Sequence, residues 1–372
     1  MAGTTPPPSD ADVGPAVRPN ISPVNSYQQK PLLVVVNASG RQASSVIRVA
    51  SAVGYRVRGQ LRSVSKDAQL SAELQSLPDV TLVEGSLEDP DFVANELFKD
   101  CDLAFVNTTP YGWTDEAVTG KRLADAALAH GVKFYVYSSL TDHSTHSVNA
   151  LPPLPLWKTK FDVEEYIRKL GLPAAFPYVG CYHNNFSSRP YPLWQLTPIE
   201  DGSFEWRTPF PEDVGIPFID TEHDMGAAVI QILKDGPRKW NGKRIALAFE
   251  ILTPPEACLL FSRGLGRPVR YVNAPLEIKI PIPDGYRKQL EGILHTLCDN
   301  KAIYFRPEME CPETARSIWP GWRGLEEYAR EVWPIEERQN MAPWTLEEMG
   351  NAGGSGLVTP ADELEHGLEF AA

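Results

Sequence analysis

The segment LLVVVNASGRQASSVIRVASAVG, residues 32 to 54, constrains the fold more than any other stretch of the chain. Its first five residues are an unbroken apolar run of strand length with no polar alternation, so both faces of that strand must be covered. Four residues later the period changes. Ala43, Val46, Ile47, Ala50 and Val53 recur at three- and four-residue steps, and Gly54 supplies a stop. A doubly covered strand turning sharply into an amphipathic helix is the opening of a βαβ unit, and it predicts a parallel sheet with helices on both faces.

The rest of the first half repeats that grammar. YRVRGQLR, VTLVEG, LAFVNTT, FYVYSSL and PAAFPYVGCY read as strands, while DEAVTGKRLADAALAHGV and FDVEEYIRKLGL read as helices ending on Gly131 and Gly171. The fold class is therefore α/β, a doubly wound parallel sheet over residues 30–185. Beyond Phe186 prolines thicken, and isolated strands (GKRIALAFE, RPVRYV) alternate with helices (EHDMGAAVIQILKD, PPEACLLFSRGLG). This predicts a smaller α+β carboxyl-terminal lobe over 186–340, closed by GWRGLEEYAREVWPIEE as one helix with aromatic anchors. Residues 1–29, with six prolines, read as a disordered arm, and 341–372 as a flexible acidic tail.

The formal net charge of -13 argues against direct DNA binding, because a surface that neutralises phosphates must be basic. The charge is uneven: from Glu308 onward 14 acidic residues face 4 basic ones, which suits a basic partner. Five scattered cysteines without a C-x-x-C pair argue against a disulfide framework or a structural zinc site and fit a reducing cytoplasm or nucleus. With no apolar run near the roughly 20 residues of a membrane span, and a Pro-rich acidic start, neither insertion nor secretion is expected.

The turn NASGRQA sits where a dinucleotide-binding loop belongs, after the first strand and before the first helix. Such a loop lets the backbone approach a pyrophosphate and presents it to the free N–H groups of the helix. The middle glycine, which matters most for close approach, is present as Gly40. Asn37 stands at the first glycine position, and Asn tolerates the left-handed conformation. Ala43 replaces the third, where packing requires only a small residue. At the end of the second strand GQLRS offers Arg62 and no acid, so NADP is favoured or tolerated.

Together VVNASGRQASSVIRVASAVGYRVR, AFVNTTP, YVYSSLTDHS, LPAAFPYVGCYHNNF, DGPRKWNGKRIALAFE, PIPDGYRKQLE and GWRGLEEYAREVWPIEE resemble the NmrA-type negative regulators of fungal nitrogen metabolism, atypical relatives of the short-chain dehydrogenases/reductases. The resemblance runs from about Lys30 to Glu337. It implies a Rossmann-type fold, bound NAD or NADP, and a protein partner, the zinc finger region of a GATA-type transcription activator. Carried over residue by residue, it implies pyrophosphate contacts from Asn37, Ser39, Gly40, Arg41 and Gln42, and an adenosine ribose contact from Arg62. Asn107, Thr108 and Thr109 would lie along the nicotinamide, with Lys160, Gly180 and Tyr182 closing the pocket.

A working short-chain reductase needs a Tyr as general acid four residues before a Lys. The matching Lys is Lys160, and four residues earlier stands Leu156; shifting to Lys158 places Leu154 there. A leucine transfers no proton, so the chain is expected to bind the dinucleotide without turning it over. Two other readings stay open: an atypical NADPH-dependent reductase with Lys160 as general base, as in the isoflavone reductase-like group, and a scaffold that has lost the cofactor. Ser138, Ser139, Asp142, His143 and His146 lie too close in sequence for a hydrolytic triad, and no G-x-S-x-G elbow is present. His223 and Asp224 lack a third metal ligand at suitable spacing and read as helix capping. The acidic and aromatic segment with Trp322, Glu326, Glu327, Tyr328, Glu331 and Trp333 is expected to contribute to the partner surface.

Overall fold

The computed structural model describes residues 30–65, 68–109, 115–145, 151–186, 193–279, 282 and 284–340. The expected arm, the expected tail and His146 lie outside the described residues. The unit that begins at Pro31 contains all the elements below.

Its strands are β1 (Leu32–Val35), β2 (Arg56–Leu61), β3 (Val80–Glu84), β4 (Leu103–Val106), β5 (Phe134–Tyr137), β6 (Ala174–Val179), β7 (Cys181–Tyr182), β8 (Leu196–Pro198), β9 (Phe204–Thr208), β10 (Ile216–Ile219), β11 (Arg244–Leu247), β12 (Glu250–Leu252) and β13 (Val269–Asn273). The helices of the first half are α1 (Arg41–Ala52), α2 (Ala68–Ser76), α3 (Pro90–Phe92), α4 (Glu116–Ala129) and α5 (Pro155–Leu170). They are followed by α6 (Thr221–Asp235), α7 (Pro237–Trp240), α8 (Pro254–Leu265), α9 (Asp284–Leu294), α10 (Glu313–Ile318), α11 (Leu325–Glu331) and α12 (Trp333–Asn340).

The central sheet is seven-stranded in the order β11-β6-β5-β4-β1-β2-β3 and parallel throughout. Chain progress reverses between β1 and β4, and a crevice at the carboxyl ends of those strands is where open α/β sheets place ligands. The apolar run of β1 is divided by its period of two: Leu33 and Val35 enter one core with α1 and α6, while Val34 and Val36 enter the other with α4 and α5. Gly54, Gly131 and Gly171 all adopt positive φ just past their helices, as the sequence predicts.

Two expectations change. GKRIALAFE does not belong to the second lobe, because β11 pairs in parallel with β6 and completes the central sheet. The helix before it, α6, packs against α1 over the same face. The chain leaves the sheet after β6, builds β7 to β10 elsewhere, and returns through α6 and α7, so residue 185 is not a boundary in space. Nor is GWRGLEEYAREVWPIEE one helix. It breaks at Val332 (φ -105°, ψ -52°), since Pro334 lacks the N–H that would continue the ladder. The smaller lobe holds two three-stranded sheets, β12-β10-β7 and β13-β9-β8, around an aromatic core of Phe186, Trp206, Phe218, Phe261 and Trp333.

Candidate functional site

The loop after β1 has the shape its residue types anticipate. Asn37 takes φ 58°, the left-handed conformation otherwise given to the missing glycine. Its side chain then does what no glycine could: Nδ2 donates to the Asn107 carbonyl (2.7 Å) and to Thr109 Oγ1 (3.3 Å), joining the ends of β1 and β4. Gly40 is extended (φ -69°, ψ 147°), so its freedom is not used for an unusual backbone angle; what it supplies is space, because a Cβ there would lie 3.2 Å from the Asn37 carbonyl. As N-cap of α1 it makes no side-chain cap, and the first turn carries no acid, which leaves helix N–H groups directed at the crevice. Ala43, 1% exposed, is packed as expected of the third position.

Sequence reading missed Gln60. Fully buried in β2, it accepts from the Asn37 backbone N–H (3.0 Å) and donates to the Gly85 carbonyl (2.7 Å), holding the loop against β3's exit. A polar residue inside an otherwise buried strand was the available signal.

On the far side of the crevice Lys160, 7% exposed, faces four acceptors: the Thr108 carbonyl (2.5 Å), Glu116 Oε1 (2.9 Å), Asn107 Oδ1 (3.2 Å) and Thr108 Oγ1 (3.2 Å). That set suits an ammonium and offers no acceptor role to its nitrogen. Glu116, which no motif pointed to, also accepts from Thr108 Oγ1 (2.6 Å). The phenol of Tyr137 lies 3.1 Å from Thr108 Oγ1, with its pKa raised well above the ordinary value by burial. Leu156, one turn before Lys160 on α5, presents an alkyl side chain that transfers no proton, and its backbone N–H is taken by Gln289 Oε1 (3.2 Å).

The remaining expected site residues are placed as follows. Gln42 meets Tyr182, donating to its phenol oxygen at 2.7 Å, while Gln42 Oε1 is buried with no hydrogen-bond partner among the described residues. Arg41 turns to Glu222 on α6 (2.5 Å). Arg62 is exposed just past β2, and Ser39 is half-buried in the loop. Gly180 is buried because a Cβ there would come 2.7 Å from the Pro217 carbonyl and 2.9 Å from Ala248; close strand packing alone accounts for it.

Other sequence features resolve structurally. Asp142 accepts from the Ser144 N–H (3.0 Å), and His143 Nε2 lies 3.0 Å from the Ile303 carbonyl, so neither is aimed at Ser138 or Ser139 as a triad requires. The cap of α6 is Asp220, which accepts from the His223 N–H, rather than the His223–Asp224 pair itself. Among the described residues no group of three His, Cys, Asp or Glu side chains could hold a metal. Trp333 is corrected: it is 4% exposed, donates to the Phe186 carbonyl (2.9 Å) and meets Phe204 and Phe261 edge-on, so it anchors the lobe from within. Trp322 is half-buried, stacked on Phe249 with Arg316 over its ring. Glu326, Glu327 and Glu331 stay partly or fully exposed on α11, interleaved with Arg263 and Arg330.

Beside the crevice lies a buried group of ionisable side chains. His183 is 1% exposed, 3.8 Å from Glu250, and neither ring nitrogen has a hydrogen-bond partner among the described residues. Burial, reinforced by the Arg323 charge, pushes its pKa down to about 3, whereas burial raises Asp220, Asp224, Glu250 and Glu336. A buried neutral histidine gives stability that is complete above about pH 6.5 and lost as pH falls toward 3, since the unfolded chain takes up a proton the folded one refuses. The wild type is expected to lose about 1.4 kcal/mol per pH unit below 6.5 through this residue. Urea midpoints at pH 7.5, 6.5 and 5.5 should show a shallower decline for His183→Phe; parallel curves would contradict the assignment.

Residues 29–329 match the NmrA-like family. The chain is 46% identical to the nitrogen metabolite repression protein nmrA of Emericella nidulans over 355 residues, which is 86% of this chain and 99% of that one. It is 45% identical to the nitrogen metabolite repression protein nmr of Neurospora crassa, over 92% of this chain and 75% of that one. Among solved structures it resembles Nmra, a negative transcriptional regulator crystallised in complex with NAD (TM-score 0.80) and with NADP (TM-score 0.79). Each of those matches is 49% identical and covers 85% of this chain and 99% of the other. With residues 29–329 matched and close to half of the residues identical to two relatives that it covers over most of their length, the chain belongs to the NmrA-like family.

Proposed function

We propose that this protein is a negative regulator of nitrogen metabolism that binds NAD or NADP as a ligand without turnover and docks the zinc finger region of a GATA-type transcription activator. The observation that carries the reading is the pairing of an intact loop with a missing acid. The uncapped start of α1 and the space at Gly40 suit a diphosphate, while Leu156 leaves nothing to protonate a carbonyl. A bound nicotinamide supplies hydride chemistry, and this chain surrounds it with groups that bind and orient. Arg62, exposed beyond β2 with no acid beside it in GQLRS, accommodates a 2'-phosphate as well as a hydroxyl. Lys160 as a general base is disfavoured by its ion pair with Glu116.

For the partner, a GATA-type finger is basic because it grips phosphates, and an acidic surface engages the same side chains. With Trp322 and Trp333 committed to packing, the contribution of α11 is its carboxylates, Glu326, Glu327 and Glu331. Such a regulator works where its activator is found, in the cytoplasm and nucleus. Calorimetric titration with a GATA-type zinc finger segment at two salt concentrations is expected to give micromolar or tighter, salt-weakened binding, reduced further by reversing the charge of those three glutamates. Absence of any heat or competition would refute the partner; unchanged affinity in the triple variant would move the surface elsewhere.

A further inference from the structure

We infer that Glu222 is a built-in competitor for Arg41, so that a dinucleotide's pyrophosphate binds at α1 by displacing a carboxylate supplied from α6. The inference rests on the dinucleotide reading above and adds to it a residue that sets affinity.

Arg41 is the first residue of α1 and follows directly on Gly40, so its side chain starts from the uncapped turn where a pyrophosphate would lie. It is not free. Nη1 is 2.5 Å from Glu222 Oε1, and the side chains are 12% and 44% exposed, which shelters the pair on the arginine's side. The two helices are fixed against each other at this point: Ser45 Oγ donates to the Glu222 carbonyl (2.9 Å) and accepts from the Gly226 N–H (2.9 Å). The first turn of α1 has no acid of its own; the carboxylate in contact with Arg41 comes from a helix 181 residues away in sequence, and Glu336 on α12 adds a second negative charge near the pair.

A diphosphate entering the loop meets a guanidinium already neutralised and a carboxylate of its own sign. Binding therefore costs the Arg41–Glu222 pair, and the affinity of the loop is lower than its backbone geometry would allow. The same turn of α6 carries Asp220, which pairs with Arg323 at 3.1 Å, and Asp224, which accepts from Trp319 Nε1 at 3.1 Å. The exchange thus takes place where the loop meets the segment leading into α11.

The test is a set of titrations of wild type, Glu222→Gln, Arg41→Gln and the double variant with NAD, ADP-ribose and adenosine at low salt. Glu222→Gln is expected to tighten NAD and ADP-ribose about two- to five-fold, the range of a partly exposed ion pair, and to leave adenosine, which has no phosphate, unchanged. The gain should vanish when Glu222→Gln is made in the Arg41→Gln background and shrink at high salt. Equal affinity in wild type and Glu222→Gln, or a gain that survives without Arg41, overturns the inference while leaving dinucleotide binding intact. A wild type that binds neither NAD nor ADP-ribose removes the dinucleotide reading and this inference with it.

Discussion

Replacing Gly226 by alanine is expected to destabilise the protein by about 3 kcal/mol, although alanine is the better helix former by about 1 kcal/mol. Gly226 lies in the middle of α6, where it crosses α1. A Cβ there would sit 2.3 Å from the Ser45 carbonyl oxygen and 2.8 Å from Val49. The first of these is backbone and cannot swing aside, so relief requires the helices to part. Parting them breaks the Ser45 bridge between the Gly226 N–H and the Glu222 carbonyl and opens buried contacts among Ala50, Met225 and Val229. Because α1 begins at the dinucleotide loop, the displacement also carries Arg41 and Gln42 out of place, and NAD affinity should fall with stability. Gly285→Ala is the control: that glycine is exposed at the start of α9 with open space around it, and the change should be neutral or slightly stabilising. Urea midpoints with unchanged m-values decide the matter, and a Gly226→Ala variant within about 0.5 kcal/mol of wild type would show that the crossing is slack.

Gly226 also marks where sequence reading stops. The loop and helix after β1 were legible because their determinants are local: an unalternating apolar run, a small residue at each tight point, a 3.6-residue period and a glycine stop. Even the substitution at Asn37 could be read, since left-handed tolerance is a property of the residue itself. What could not be read depends on elements far apart in the chain. The strand in GKRIALAFE shows the same local pattern whether it pairs with β6 or stands in another sheet, and only the path of α6 and α7 decides. The carboxylates opposite Arg41 and Lys160 are 181 and 44 residues from their partners, and no periodicity links them. Trp333 was misassigned for a related reason: an aromatic in a charged helix looks the same whether it faces a partner or its own core, and the core of the smaller lobe is built from segments scattered between Phe186 and Trp333.

The same distinction explains why a lysine stands at position 160 without a tyrosine before it. Lys160→Met is expected to cost about 3–5 kcal/mol, the penalty for removing one member of a buried ion pair. Glu116 is 6% exposed, and its Oε2 has no hydrogen-bond partner among the described residues, so without Lys160 its charge is left with only the Thr108 hydroxyl. Removing both charges should restore most of the loss, because replacing a buried pair by apolar groups of similar volume is often close to neutral. Lys160→Met/Glu116→Leu is accordingly expected to lie within about 1 to 2 kcal/mol of wild type, the remainder reflecting the acceptors at Asn107 and Thr108. Thermal and urea unfolding of the two single variants and the double variant close the cycle. Single and double variants equally unstable would mean that the pair contributes nothing as a pair. A rescued double variant that still binds NAD would assign Lys160 to the scaffold of the crevice, and its persistence beside Leu156 would then follow from burial and charge, with no reaction required.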